Sequence, residues 1–371
     1  MESKDLENRI WFFTYCAFVI KILIFIYFKW NLAGFSLFGG GNDADYYHLY
    51  AIGYYELIVN SWPVILRFLY QNGLYGREIY SLIFFALSVT LLPYLFYRLV
   101  KIRDHEIKPV KAVSFFLVIF YPSLFYFTLD VYREIVMFTF TLISLIIYKN
   151  ILDTNKLTNI LARNKLSQSF YFLIYLGLAY FLFTLREYLG FALFLSPFVY
   201  WILLKTKKYA KTWIINYFVV LILIKISGGL DQILLYRQEF TEGGSTLGIR
   251  LHDKNPIMFL IYYLYSIVAQ LFGLFLINMN SIIVFAIEGI PFILAFIYIF
   301  KNKKYINNFV AFLLVFFVIY STVWLLGNDN LGTATRLRIP SYLAIFACVF
   351  IVYQIKVLVS YEMIKEKMKK I

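Results

Sequence analysis

Long apolar segments recur along the whole chain, and they constrain its fold more than any other feature of the sequence. A helix needs about 20 mostly apolar residues to cross the hydrocarbon core of a bilayer. Segments of this length and composition predict about ten membrane-spanning helices. Their approximate ranges are 10–28, 78–98, 112–129, 132–149, 169–186, 188–204, 213–227, 281–300, 306–326 and 339–357.

The composition supports the same fold class. Hydrophobic residues make up 62% of the chain and charged residues 15%, whereas a soluble domain is about half apolar and a quarter charged. The excess apolar surface must therefore face lipid. We expect an all-α, polytopic transmembrane helix bundle that forms a single integral membrane domain over residues 1–371.

Basic residues between the apolar segments predict the orientation. They collect in alternate connecting segments, which lie on the cytoplasmic side in membrane proteins. This pattern places both termini in the cytoplasm and assigns the net charge of +14 to topology rather than to nucleic-acid binding. The basic positions include Arg98, Lys101, Arg103, Lys108, Lys111, Lys149, Lys156, Arg163, Lys165, Lys205, Lys207, Lys208, Lys211, Lys301, Lys303 and Lys304.

Two longer segments, about 29–77 and 228–280, are predicted on the outer side. The first contains the tyrosine-rich stretch 46–70, which predicts one or two amphipathic helices on the outer face, interrupted at Pro63. The second begins with a glycine-rich loop. The apolar stretch 257–275 within it is long enough to span, but a crossing there would turn Lys301–Lys304 outward. It is therefore expected to be re-entrant or interfacial.

Charged residues cluster at the predicted outer ends of the helices. Arginine is unusual there, because outward loops are generally poor in basic residues, and its planar fork is suited to phosphate. A second interpretation stays open, in which these charges end helices and contact lipid headgroups. The predicted phosphate- or substrate-binding residues are Arg133, Glu134, Arg186, Arg336, Arg338 and His48.

Asp43 and Asp45 follow a run of glycines after the first span. A carboxylate at the membrane surface has the chemistry to accept a proton from a sugar hydroxyl, as a general base does. Either residue is also suited to capping a helix N-terminus, and the two roles are compatible because there are two carboxylates. We expect one of them to be catalytic.

The sequence offers no sign of a metal or nucleotide site. His105 lies in a predicted cytoplasmic segment, whereas His48 and His252 lie outside, so the three histidines are not expected to share a metal. No phosphate-binding loop or dinucleotide-type glycine motif is present. No cofactor is expected, although a divalent cation stays open. Cys16 and Cys348 lie in apolar segments and are expected to be packing residues.

Four segments resemble bacterial multi-pass enzymes of sugar-polymer synthesis, namely the GT-C-like glycosyltransferases and the O-antigen polymerases. They are GNDADYYHLYA after the first span, YPSLFYFTLDVYRE and TLREYLGF at outward turns, and NDNLGTATRLRIP before the last span. The resemblance covers most of the chain through short motifs. The large periplasmic domain of many GT-C enzymes is absent, which favours a compact, polymerase-like enzyme.

This resemblance implies a function on the outer face of the bacterial inner membrane. The donor would be a sugar or oligosaccharide on a polyprenyl phosphate or pyrophosphate, and the acceptor would be a glycan. The base would be Asp43 or Asp45. The lipid phosphate would contact Arg133, Arg186, Arg336 or Arg338. Such an enzyme would serve O-antigen, capsule or exopolysaccharide synthesis.

Two alternatives belong to other functional classes. A flippase for the lipid-linked oligosaccharide would place polar groups near the bilayer midplane. Lys21 and Lys225 lie in or near spans, although both are long enough to reach the surface. A non-catalytic subunit of a polysaccharide assembly is the other alternative. The enzyme hypothesis requires that the scattered acids and arginines converge in space.

Overall fold

In the computed structural model, the described residues are 2–31, 43–102, 107–154, 163–206, 210–238, 246–276 and 278–368. His105 and the glycine run before Asp43 lie outside them. The described residues form seventeen α-helices. They are α1 (Glu2–Asn31), α2 (Asp43–Ala51), α3 (Ser61–Gln71), α4 (Arg77–Val89), α5 (Leu91–Val100), α6 (Lys108–Phe120), α7 (Pro122–Tyr126), α8 (Glu134–Thr154), α9 (Arg163–Leu185), α10 (Glu187–Thr206), α11 (Ala210–Ile226), α12 (Asp231–Gln238), α13 (Pro256–Ser266), α14 (Met279–Val284), α15 (Ile290–Lys301), α16 (Asn308–Gly327) and α17 (Leu331–Met368).

Eight helical segments of the described chain are long and apolar enough to cross a membrane. The expected all-helical architecture is therefore confirmed, and it is compatible with a multi-pass membrane protein that has fewer spans than the expected ten. The eight segments are Lys4–Lys29, Arg77–Val100, Glu134–Asp153, Gln168–Leu185, Glu187–Lys205, Met279–Lys301, Asn308–Gly327 and Leu331–Met363.

Two predicted spans account for the difference. The segment 112–129 is broken between α6 and α7, where Tyr121 is extended and Pro122 starts a new short helix. A proline is favoured in the first turn of a helix but not within one, because it lacks the backbone N–H and clashes with the preceding turn. The segment 213–227 bends by 83° into α12, and it counts as a ninth span only if the bent pair is taken together.

The two segments that the sequence predicts on the outer side, 29–77 and 228–280, both contain helices. The tyrosine-rich stretch forms α2 and α3, and Pro63 lies in the first turn of α3 rather than interrupting it. Asn60 caps this helix by accepting from the backbone N–H of Trp62. The apolar stretch near 257–275 forms a helix over Pro256–Leu271 that ends in a π-helical turn and is shorter than a span.

The core of the bundle lies along α16. This helix packs against α10 and α17, and it buries Phe312, Phe316, Tyr320 and Trp324 almost completely. By contrast, α1 packs mainly against α6 and leaves most of its surface exposed, as expected for a lipid-facing helix. The turn between α16 and α17 lies at the end of the bundle where the helices with the predicted site residues begin or end.

Candidate functional site

An ion pair joins the start of α2 to α17. The Arg336 guanidinium donates to the Asp43 carboxylate, although the two residues are 293 positions apart in the sequence. The Asp43 side chain is 39% exposed and the Arg336 side chain 16%. The partly exposed carboxylate is thus held at the end of the bundle while its partner is anchored in the last span.

Glu134 approaches the same arginine from α8. Its Oε1 lies 3.7 Å from Arg336 Nη1, and the residue is 1% exposed. Neither carboxylate oxygen of Glu134 makes a hydrogen bond within the described part of the chain. Arg336 therefore lies between two carboxylates, and one of them retains unused acceptor capacity.

Arg133 adds a second guanidinium. It lies in the turn before α8 and is 9% exposed. Its Nη1 donates to the backbone carbonyl of Leu185 at 2.6 Å, which ties the turn before α8 to the junction of α9 and α10. Its Nε has no partner among the described residues.

Arg186 occupies that junction and supplies the third guanidinium. The turn is tight, because a Cβ at Gly190 would lie 2.3 Å from the backbone nitrogen of Phe183, so α10 folds closely against the end of α9. The buried Arg186 Nε has no partner, and the side chain makes no ion pair, among the residues that the structure describes.

Asp43, Arg133, Glu134, Arg186 and Arg336 are referred to below as the acid–arginine cluster. Burial raises the pKa of Asp43, but the charge and hydrogen bond of Arg336, with the charges of Arg133 and Arg186, outweigh it and lower the pKa. Burial lowers the pKa of Arg186, as do the charges of Arg133 and Arg336. Three cations therefore surround two anions, an arrangement that favours an added anion.

Asp45 does not join this cluster. It lies two residues after Asp43 on α2, and side chains at that spacing do not share a helix face. Its carboxylate pairs with Arg77, and the same guanidinium donates through Nε to Asp130 at 2.8 Å. Arg77 thus bridges the first turn of α2 and the turn before α8.

His48 also lies on the Arg77 side of α2. Its Nδ1 is 3.1 Å from the hydroxyl of Tyr75. Burial lowers the pKa of His48, and the charge of Arg77 lowers it further. The expectation that His48 joins the arginines around one cavity is therefore not met.

Arg338 departs from the prediction for the same geometric reason. It follows Arg336 by two positions on α17, so its side chain points into the bundle. It is 2% exposed, and its Nη2 lies 3.5 Å from Glu288 Oε2. Of the four arginines expected to bind phosphate, three gather in the cluster and Arg338 does not.

A separate buried ion pair, between Arg237 and Asp329, fixes a loop near the acid–arginine cluster. Arg237 donates from Nη1 to the carbonyl of Leu325 at 2.9 Å and also pairs with Asp329. The Asp329 carboxylate accepts from the backbone N–H groups of Gly248 and Ile249 at 3.1 and 3.2 Å. This Arg237–Asp329 latch holds residues 246–251 against the turn between α16 and α17.

Two residues with central contacts were absent from the sequence-based site. Arg77 was missed because it starts a span and looked like an ordinary flanking charge. Glu288 was missed although a signal existed, since a single acid within an apolar segment generally pairs with a buried cation.

Within the described ranges, no three His, Cys, Asp or Glu side chains lie together as metal ligands would. A cavity of about 10 Å³ lies among α5, α8 and α17 and is lined mostly by apolar side chains. It is at the lower limit for one water molecule.

Comparison of the chain with protein-family models, with curated proteins and with solved structures finds no significant match. The resemblance to GT-C-like enzymes and O-antigen polymerases therefore stays a prediction, and the functional argument depends on the geometry of the site.

Proposed function

We propose that this chain is a membrane glycosyltransferase that uses a polyprenyl-phosphate- or pyrophosphate-linked sugar as donor. The observation that carries the proposal is the acid–arginine cluster, in which an ionised, partly exposed carboxylate stands beside three guanidinium groups at one end of a helix bundle. Two of these guanidiniums have buried nitrogens with no partner in the described chain. A phosphate would supply the missing acceptors.

Arginine provides the binding chemistry that such a donor needs. Arg133 and Arg186 would donate to the oxygens of the lipid phosphate, and Arg336 would complete the contact from α17. Hydrogen bonds between charged groups each contribute about 1.5–3 kcal/mol. The apolar spans beside the cluster would accommodate the polyprenyl chain in the bilayer.

Asp43 would act as the base. The acceptor hydroxyl loses its proton to the Asp43 carboxylate while its oxygen bonds to the anomeric carbon of the donor. The bond between that carbon and the phosphate oxygen breaks, and the phosphate leaves with the electron pair. The arginines stabilise the charge that develops on it.

Donor binding would also tune the base. Arg336 holds the pKa of Asp43 below its usual value, which makes the carboxylate a weak base in the empty site. A phosphate competes for the same guanidinium, so its arrival weakens the Asp43–Arg336 pair and raises the pKa of Asp43. The carboxylate then becomes a better base only when a donor is present.

Substitution of the cluster residues tests this function. We expect Asp43→Asn to lower the rate of sugar transfer about 10²–10⁴-fold, the range for loss of a general base, and Arg336→Ala to lower it as well. Asp45→Asn should retain more activity, because Asp45 pairs with Arg77. Asp231→Asn, a change at an exposed residue of α12, is the control for expression and folding.

Product and intermediate must be measured together in cells that make the surface polymer. Shortened polymer on gels, with lipid-linked units still delivered to the outer face, would support transfer. Normal polymer length in both the Asp43→Asn and Arg336→Ala cells would exclude the proposed site.

A lipid-linked oligosaccharide transporter is the second candidate. Broken helices and paired charges within the bilayer are typical of transporters, and the Glu288–Arg338 pair lies in such a setting. Lys21 is also buried rather than extended to the surface, with its amine 4.7 Å from the ring centre of Phe125. Loss of outward-facing lipid-linked units in the cluster variants would favour transport over transfer.

A further inference from the structure

Glu288 is a buried acid in the middle of a membrane-spanning segment. It lies in a π-helical turn, Phe285–Gly289, between α14 and α15, and it is 1% exposed. Single π turns are rare and are frequently found at functional sites. An ionisable side chain at this depth requires a specific partner, because lipid offers no hydration.

The partners of Glu288 satisfy only part of its carboxylate. Oε1 accepts from the backbone N–H of Ser123 at 2.8 Å, in the first turn of α7. Oε2 lies 3.5 Å from Arg338 Nη2 but accepts no hydrogen bond of good geometry from the described part of the chain. The hydroxyl of Tyr121 also faces Glu288, but neither it nor the Nε of Arg338 makes a hydrogen bond of good geometry with the described residues.

Several helices are interrupted close to the Glu288–Arg338 pair. The break between α6 and α7 brings the Ser123 N–H to Glu288. The chain after α13 turns at Gly273, where φ is +74° and an added Cβ would lie 2.7 Å from Arg338 Nη1. The backbone is therefore irregular around one buried ion pair, as it is where membrane proteins line an internal polar site.

The charges around Glu288 restrict what can bind there. Arg338 from α17 disfavours an added cation, and the Glu288 carboxylate disfavours an added anion. The other polar neighbours, Tyr121, Tyr342 and Ser123, are uncharged. A proton fits this environment, because it binds the unused oxygen and removes the buried negative charge.

We propose that Glu288 is a reversible proton-binding site inside the bundle, separate from the acid–arginine cluster. A hydronium ion transfers its proton to Glu288 Oε2 and leaves as water, so that a neutral carboxylic acid forms. The new O–H group donates to the Tyr121 hydroxyl. Arg338 keeps its contact with the ring of Tyr342, whose centre is 5.5 Å from the guanidinium carbon.

This site adjoins the cluster through α17. Arg336 and Arg338 lie on opposite faces of the same helix, and Pro340 has no N–H to bond to the carbonyl of Arg336. The helix thus lacks a backbone hydrogen bond where the two polar regions come closest. Protonation of Glu288 weakens its ion pair with Arg338, and this part of α17 becomes more mobile as a result.

Infrared spectroscopy during a pH titration in lipid nanodiscs tests the proposal without reference to enzymatic activity. We expect acidification to produce a carboxylic acid C=O band of a buried group, which shifts in deuterated water. The band should be absent in Glu288→Gln and present in Glu187→Gln, a change at an exposed acid of α10.

Two results would overturn the proposal. One is the same titrating band in Glu288→Gln as in the unaltered protein. The other is a Glu288 carboxyl that does not change with pH at all. If Glu288→Gln does not fold, Tyr121→Phe supplies the answer, since it removes the hydroxyl that receives the new O–H group. The midpoint of the band must then move, and an unmoved midpoint would count against the site.

Discussion

The acid–arginine cluster and the Arg237–Asp329 latch lie at the same end of the bundle, yet their hydrogen bonding differs. In the latch, Asp329 accepts two backbone N–H groups as well as Arg237, and only the Nε of Arg237 lacks a partner within the described chain. In the cluster, Arg186 forms no ion pair with a described residue, and neither oxygen of Glu134 accepts a hydrogen bond from one.

Under the proposed function, this difference separates a structural from a substrate-binding role. A satisfied buried pair fixes a loop, and little is gained by adding a ligand to it. A group with more cations than anions and with unused donors is unfavourable without a ligand, and evolution retains such strain mainly where something binds. The latch is therefore expected to stabilise the fold, and the cluster to bind substrate at some expense of stability.

Breaking the latch should have the largest effect on stability. Asp329→Ala leaves Arg237 buried without its counter-charge, and loss of one partner of a buried pair costs about 3–5 kcal/mol in the free energy of unfolding. Asp231→Ala provides the control, because the Asp231 side chain is 65% exposed and lies 4.0 Å from Lys225, and an ion pair of an exposed carboxylate contributes about 0–1 kcal/mol. Equal unfolding free energies for the two variants would show that the latch does not hold the loop.

Removing an arginine from the cluster should have a much smaller effect. Arg186→Gln relieves the repulsion from Arg133 and Arg336 and breaks no ion pair of Arg186 within the described residues. We expect the free energy of unfolding to fall by clearly less than the roughly 3–5 kcal/mol expected for Asp329→Ala, or to rise. Denaturant unfolding in mild detergent measures this. A loss comparable to that of Asp329→Ala would make Arg186 a structural residue.

The pH dependence of the Asp43 pair should be the smallest effect. Folding lowers the pKa of Asp43, so its stabilisation is complete above the unfolded value of about 3.9 and is lost as the pH falls through the lower folded value. The pair is partly open to water, so its contribution is at most about 1 kcal/mol. The stability difference between the unaltered protein and Asp43→Asn should be constant near neutral pH and shrink below about pH 4. A difference that grows in acid would contradict this assignment.

The sequence predicted the meeting of distant charges better than it predicted their partners. Asp43, Arg133, Glu134, Arg186 and Arg336 were expected together and do lie together. Their proximity follows from topology, because segments at the same end of successive antiparallel spans must approach each other.

Neighbours in sequence were a poorer guide. Asp43 and Asp45 separate onto different faces of α2, and Arg336 and Arg338 onto different faces of α17. The helical period of 3.6 residues predicts both separations once the residues are known to be helical. The pairing of Arg338 with Glu288 was not predictable, because it depends on where α14 and α15 pack against α17.

The number of spans was overestimated because composition does not report helix breaks. Residues 112–129 are apolar enough to cross, but the chain ends one helix at Phe120 and begins another at Pro122. The backbone N–H of Ser123, which the break exposes, is satisfied by Glu288. Pro122 followed by Ser123 within an apolar segment was the available signal for this break. Glu288, which accepts from the Ser123 N–H, lies 165 positions away in the sequence.

Phosphate binding by Arg186 is the central claim, and thermal unfolding with a short-chain polyprenyl monophosphate in nanodiscs tests it most directly. Ligand at about 100 times its dissociation constant should stabilise the unaltered protein by about 2.7 kcal/mol. Arg186→Gln should lose most of this shift, whereas Arg98→Gln, which changes an exposed arginine at the end of α5, should keep it. Equal shifts in all three proteins would contradict the claim.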